Sequence, residues 1–131
     1  MSATRVLLAD NSPAVLQAVT RMLEPEFDVI GTVRDGTSLV GEAERLKPDV
    51  MIVDLLMRGL RGLEAIRRLK KRHVPAAVIF LTVHSDLAVA EEARAIGAMG
   101  YVLKSSADRE LLPAIRKAQQ GCFFLSAGLE S

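Results

Sequence analysis

The 131-residue chain has no tryptophan, one tyrosine and four phenylalanines, so aromatic residues make up only 4% of it. Its interior must therefore be built from Val, Leu, Ile, Ala and Met. A single cysteine, Cys122, can close no intramolecular disulfide and excludes a cysteine-based metal cluster, which fits a reducing cytosol. Charge of one sign is not in excess: the formal net charge is +1, which gives no global pull toward nucleic acid. No apolar run approaches membrane-spanning length, and the stretch Met1-Ser2-Ala3-Thr4-Arg5 lacks the apolar core of a signal peptide. These absences predict a soluble cytoplasmic domain with no membrane contact.

What is present is apolar content in short bursts. Half the residues are hydrophobic and a quarter are charged, enough for one well-filled core in a chain of single-domain length. Five apolar runs recur: Val6–Ala9, Phe27–Val33, Val50–Val53, Ala76–Leu81 and Gly100–Leu103. Most are continuously apolar rather than alternating, the pattern of strands buried on both faces of a parallel sheet.

Amphipathic stretches separate them. The first opens with Ser12 as N-cap and Pro13 in the first helical position, and puts Val15, Val19, Met22 and Leu23 on one face. The others run from about Thr37 to Leu46, Gly62 to Arg72, Asp86 to Ile96 and Asp108 to Gln120. Pro48, Gly97 and Gly121 supply stop signals. Leu112, Ile115 and Ala118 are expected to point inward from the last. Strict strand–helix alternation predicts a doubly wound α/β domain, whose ligands sit at the carboxyl ends of the strands.

Polar residues stand at those ends. Asp10 and Asn11 follow the first run, Asp54 closes the third, Thr82 the fourth and Lys104 the fifth. Singly, each has a plain reading: a turn-forming Asp, a capping hydroxyl, a solvated ammonium. Together at one sheet edge they would gather two carboxylates, an amide, a hydroxyl and an ammonium. Oxygen donors suit a hard cation such as Mg²⁺. The ammonium and hydroxyl suit the oxygens of a phosphoryl group.

Along nearly its whole length the chain resembles the receiver domain of bacterial response regulators, in particular the NarL/FixJ type. The likeness is carried by Val6-Leu7-Leu8-Ala9-Asp10-Asn11-Ser12-Pro13, Pro48-Asp49-Val50-Met51-Ile52-Val53-Asp54-Leu55-Leu56-Met57, Gly62-Leu63-Glu64-Ala65-Ile66, Leu81-Thr82-Val83-His84 and Gly97-Ala98-Met99-Gly100-Tyr101-Val102-Leu103-Lys104. The resemblance implies a CheY-like (flavodoxin-like) five-stranded parallel sheet of order 2-1-3-4-5 flanked by five helices. It implies a receiver unit over 1–125, with 126–131 beginning a linker or tail of an excised receiver. Asp54 would be the phosphoacceptor, served by a sensor histidine kinase. Asp10, Asn11, Asp54 and the Leu56 carbonyl would hold Mg²⁺. Thr82 and Tyr101 would form the switch, and Lys104 would pair with the phosphoryl group. The domain would catalyse only its own phosphorylation and dephosphorylation, and DNA would be reached only through an output domain outside this chain. A homodimer through the α4-β5-α5 face is a further expectation.

Two departures stand out. Most receivers carry a second acid where this chain has Asn11, which predicts weaker Mg²⁺ binding. Arg58 replaces the usual Pro, and with Arg61 makes the loop more basic. They motivate an alternative, a phosphorylation-independent interaction module, which intact Asp54, Thr82 and Lys104 oppose. The cluster Arg67-Arg68-Lys70-Lys71-Arg72 reads as a solvated helix face, His73 as a helix-end residue and His84 as a loop residue beside the switch. Cys122, among Phe123, Phe124 and Leu125, is expected to be a small buried apolar residue.

Overall fold

The computed structural model describes residues 3–57 and 59–129, and in it the apolar runs become strands of one parallel sheet. The elements in chain order are β1 (Arg5–Ala9), α1 (Pro13–Leu23), β2 (Asp28–Val33), α2 (Gly36–Leu46), β3 (Val50–Val53), α3 (Gly62–Lys71), β4 (Ala77–Thr82), α4 (Leu87–Ala95), β5 (Gly100–Leu103), α5 (Ala107–Gln119) and β6 (Phe124–Leu125). A single 3-10 turn, Lys104–Ser106, joins β5 to α5. The sheet order is β2-β1-β3-β4-β5-β6. The expected order 2-1-3-4-5 is present, extended by one short strand that the sequence reading does not contain.

The side-chain alternation of a strand divides the core in two. Leu7, Met51, Phe80 and Tyr101 face the layer of α2, α3 and α4. Val6, Leu8, Ile52, Ile79 and Val102 face α1 and α5. Both faces are covered, so the central strands read as unbroken apolar runs.

The start of α1 follows the predicted signal. Ser12 caps α1 by accepting a hydrogen bond from the Val15 amide, with Pro13 in the first turn. Asp35 and Asp86 cap α2 and α4 in the same way. At the far end of α3, His73 sits at φ 57 just past the helix, a left-handed terminator.

Three expectations need correction. The buried stripe of α1 is Leu16, Val19 and Leu23; Val15 and Met22 flank it. In α5, Leu111 and Ala114 join Ile115 and Ala118 inside, while Leu112 is only half-buried. Cys122 is exposed rather than buried. Gly121 at φ 79 turns the chain, and the Cys122 amide donates back to the Lys117 carbonyl at 2.9 Å; the thiol is left facing solvent.

In the basic run on α3, Arg68, Lys71 and Arg72 are exposed and Arg67 and Lys70 half-buried, and the run also makes ion pairs. Arg67 pairs with Glu92 of α4 at 2.9 Å and with Glu64 at 3.7 Å, and Arg72 with Glu44 of α2. Arg58 lies outside the described residues. No helix among the described residues is long and apolar enough to cross a membrane.

Candidate functional site

The carboxyl ends of β1, β3, β4 and β5 bring Asp10, Asp54, Thr82 and Lys104 to one edge of the sheet. Asp54 follows β3, and its amide donates to the Ala9 carbonyl at 2.9 Å, so the acidic residues of β1 and β3 are tied by the strand ladder itself. Asp10 is 4% exposed, Asp54 6% and Thr82 0%. Carboxylates this deep need partners. Lys104 supplies one to both: its Nζ lies 2.7 Å from Asp10 Oδ2 and 3.3 Å from Asp54 Oδ2. The other Asp10 oxygen accepts from the Ser12 amide at 2.9 Å, and Asp54 Oδ1 from the Leu56 amide at 3.4 Å.

Gly62 sets the tightness of this corner. A β-carbon there would fall 2.1 Å from the Asp54 carbonyl oxygen, so only glycine lets α3 start directly against the chain of Asp54.

One ammonium between two carboxylates leaves a negative charge over. Burial is the largest influence on Asp54 and pushes its carboxyl above the usual range. The Lys104 ammonium pulls it down, and the Asp10 charge pushes it up again. Burial alone would lower the Lys104 ammonium. Its hydrogen bond to Asp10 and the fields of both carboxylates outweigh that, so it is held above its usual value. The residual negative charge and the oxygen donors fit a hard divalent cation. The fit is with fewer acids than a three-carboxylate site: among the described residues no group of three His, Cys, Asp or Glu is arranged to hold a metal. Asn11 is exposed at the rim, where its main-chain oxygen accepts from Arg34 at 3.3 Å.

The hydroxyl side is linked through His84. Thr82 Oγ1 accepts the His84 amide at 3.2 Å, and the buried Tyr101 hydroxyl donates to the His84 carbonyl at 2.8 Å. Burial first, and the Asp86 charge second, push the Tyr101 phenol up to about 12. His84, read from the sequence as a loop residue, therefore matters through its main chain, which no side-chain pattern announces. The sequence-predicted residues Asp10, Asp54, Thr82 and Lys104 converge. Tyr101 lies one link behind them, and Asn11 and the exposed Leu56 side chain sit at the mouth.

Comparison with known proteins decides the family. The response regulator receiver domain family matches residues 6–116. This chain is a response regulator receiver domain. It is 37% identical over 122 residues to the nitrate/nitrite response regulator protein NarP of Escherichia coli, covering 89% of this chain and 55% of that one. It is 36% identical over 119 residues to the transcriptional regulatory protein LiaR of Bacillus subtilis, covering 89% and 56%. Among solved structures, a two-component response regulator of the LuxR family from Aurantimonas superposes with TM-score 0.90 at 31% identity, covering 96% of this chain and 91% of that one. The isolated receiver domain of RcsB from Salmonella enterica with the phosphomimetic BeF3⁻ gives TM-score 0.89 at 28% identity, covering 98% and 100%. These relatives make it a receiver of the NarL/FixJ type. The receiver spans about half to three fifths of the length of the curated relatives it matches.

Proposed function

We propose that this receiver is a phosphorylatable switch in which Asp54 accepts a phosphoryl group from the phosphohistidine of a sensor histidine kinase. The observation that carries the reading is the Lys104 ammonium shared between two buried carboxylates at one sheet edge. An Asp54 oxygen attacks phosphorus, the phosphorus–nitrogen bond breaks, and the imidazole leaves; the product is an acyl phosphate. Lys104 already lies within hydrogen-bond reach of the attacking carboxylate and is placed to follow the charge onto the phosphoryl oxygens. Thr82 uses its oxygen as an acceptor for the His84 amide, so its hydroxyl hydrogen is free to donate to a phosphoryl oxygen.

Asp10, Asp54, the Asn11 side-chain oxygen and the Leu56 carbonyl are the groups that would hold Mg²⁺. Bound there, Mg²⁺ neutralises the nucleophile and the phosphoryl group together. The missing acid at Asn11 weakens that binding. Movement of Thr82 toward a phosphoryl group would shift the His84 main chain and with it the hydrogen bond of Tyr101, biasing β4–α4 and β5 toward a second arrangement. The reaction is self-directed rather than a turnover of substrate. The domain works in the cytoplasm. DNA-binding transcription control and a homodimer through α4, β5 and α5 are proposed from the longer relatives.

Incubation with acetyl phosphate and Mg²⁺ followed by intact-mass measurement tests the reading. A phosphate adduct that disappears in Asp54→Ala is the expected result. No adduct in the wild type at saturating Mg²⁺ would refute it and leave the interaction module.

A further inference from the structure

The segment after α5 does not leave the body of the domain. It runs back along β5, the strand that carries Tyr101 and ends beside Lys104. The Phe124 amide donates to the Met99 carbonyl at 3.0 Å, and the Ser126 amide to the Tyr101 carbonyl at 2.9 Å. Further on, Gly128 packs so closely on Leu103 that a β-carbon would stand 3.1 Å from its Cδ1. Phe124 and Leu125 pair in parallel register with Gly100 and Tyr101, and Gly128 lies against the Leu103 side chain, the residue before Lys104.

Its sides are held as well. Phe123 lies under the Arg94 guanidinium of α4, 4.8 Å from ring centroid to the charged carbon. Glu110 of α5 accepts the Ser126 hydroxyl and, at 3.2 Å, the Ala127 amide. Ser126 is 3% exposed, and Leu129 packs against the core.

We propose that residues 123–129 form a cis strap, an internal ligand of the β5 edge, whose hold is set by the state of the Asp54 site. The proposal rests on the phosphoacceptor reading above. Two routes reach the strap. Through Thr82, His84 and Tyr101, a change at the site arrives at the residue whose carbonyl anchors Ser126. Through Lys104, it arrives at Leu103, against which Gly128 rests. The strap also spans α4, β5 and α5, so it covers the face a second copy would use. Loading the site releases the strap and bares that face.

Coupling of this kind is reciprocal: whatever factor loading adds to strap release, strap release must add to loading. The test uses the whole 131-residue chain with beryllofluoride and Mg²⁺, and follows site occupancy by fluorine NMR and strap opening by amide exchange. Loading is expected to speed exchange at Ser126 and Ala127 by about tenfold, an effect absent in Asp54→Asn. Glu110→Ala keeps a good helix former on α5 and touches nothing at the site. It is expected to open the strap without ligand and to tighten beryllofluoride by about the same factor. Ser126→Ala, which removes only the hydroxyl, shifts both in the same direction by less. A clear fluorine signal with unmoved strap amides and equal affinities in the wild type and Glu110→Ala overturns the strap while leaving the site intact. No fluorine signal in any variant overturns the Asp54 reading, and the proposal with it.

Discussion

Helices α3 and α4 cover the same face of the sheet, yet they are held by different means. Helix α3 buries Ala65, Ile66 and Leu69, and its first residue, Gly62, is pressed against the main chain of Asp54. Helix α4 buries only Ala90 and Ala93. A fully buried isoleucine or leucine contributes roughly 1.5–3 kcal/mol of apolar transfer. An alanine has one methyl to offer. Val89 and the C-cap Ile96 pack only partly against the core, and the rest of what fastens α4 sits at its surface: the Arg67–Glu92 ion pair and the Arg94–Phe123 contact. The flank of the Asp54 carboxylate is stiff and the flank of Thr82 and Tyr101 is lightly held. A reacting oxygen needs fixed surroundings, whereas an element that must take two positions belongs to the low-stability end of the molecule.

The contrast can be attacked directly. Ile66→Ala should destabilise the fold by about 2–5 kcal/mol in urea unfolding, because the cavity lies in a packed layer. Ala90→Gly should cost only about 1 kcal/mol, the helix-propensity difference. Equal losses would abolish the distinction. On the stiff side, the strength of the site is a matter of charge. A unit charge about 4 Å away is worth up to ~4 kcal/mol at an effective dielectric of 20. Solvent leaves less, so Asn11→Asp should tighten Mg²⁺ by about tenfold in a calorimetric titration. Identical affinities would mean that Asp10 and water already compensate.

On the light side, Tyr101→Phe keeps the ring and loses the bond to His84, a loss of about 1 kcal/mol in unfolding free energy. Tyr101 is the only tyrosine and there is no tryptophan, so alkaline absorbance reads its ionisation alone. The midpoint should fall at about 12. Its folded value is raised, so the stabilisation from the neutral phenol is complete below the unfolded value of ~10 and fades as pH climbs through the folded one. The smallest effect is expected from Arg67→Ala. An exposed pair contributes under ~1 kcal/mol to global stability, so the change should show as faster amide exchange confined to α4.

Asp54 offers a further check with a definite sign. Its carboxyl is raised by burial, so the charged form opposes folding. Stability linked to it is greatest below the unfolded carboxylate value and declines as pH rises through the folded one. Asp54→Asn should therefore melt higher than the wild type at neutral pH, and the gap should close in acid.

Much of this was legible in the residues. The buried strands β1, β3, β4 and β5 declared themselves as apolar runs because both sheet faces are covered, while β2, at the edge, is only partly buried. The polar residues at their ends, Asp10, Asp54, Thr82 and Lys104, were readable because a parallel sheet brings such ends together. What escaped is tertiary in origin. Phe124 and Leu125 form a strand only because β5 offers an open edge, and two residues carry no period. Cys122 faces outward because of the turn at Gly121, and neighbouring phenylalanines cannot reveal that. Leu16 and Leu111, each one residue from an expected inward position, show how a helix settles its rotation by packing. The role of His84 is carried by main-chain atoms that every residue possesses.

Gly62 has a mechanical consequence. With the α3 backbone lodged where a side chain would otherwise stand, the support behind Asp54 has no slack to absorb displacement. On the phosphoacceptor reading proposed above, a push from new charge on that carboxylate would be taken up by yielding parts, and those lie ahead of it, in the loop of Thr82. On that reading the glycine would work as an anvil, making the response directional before any partner is present.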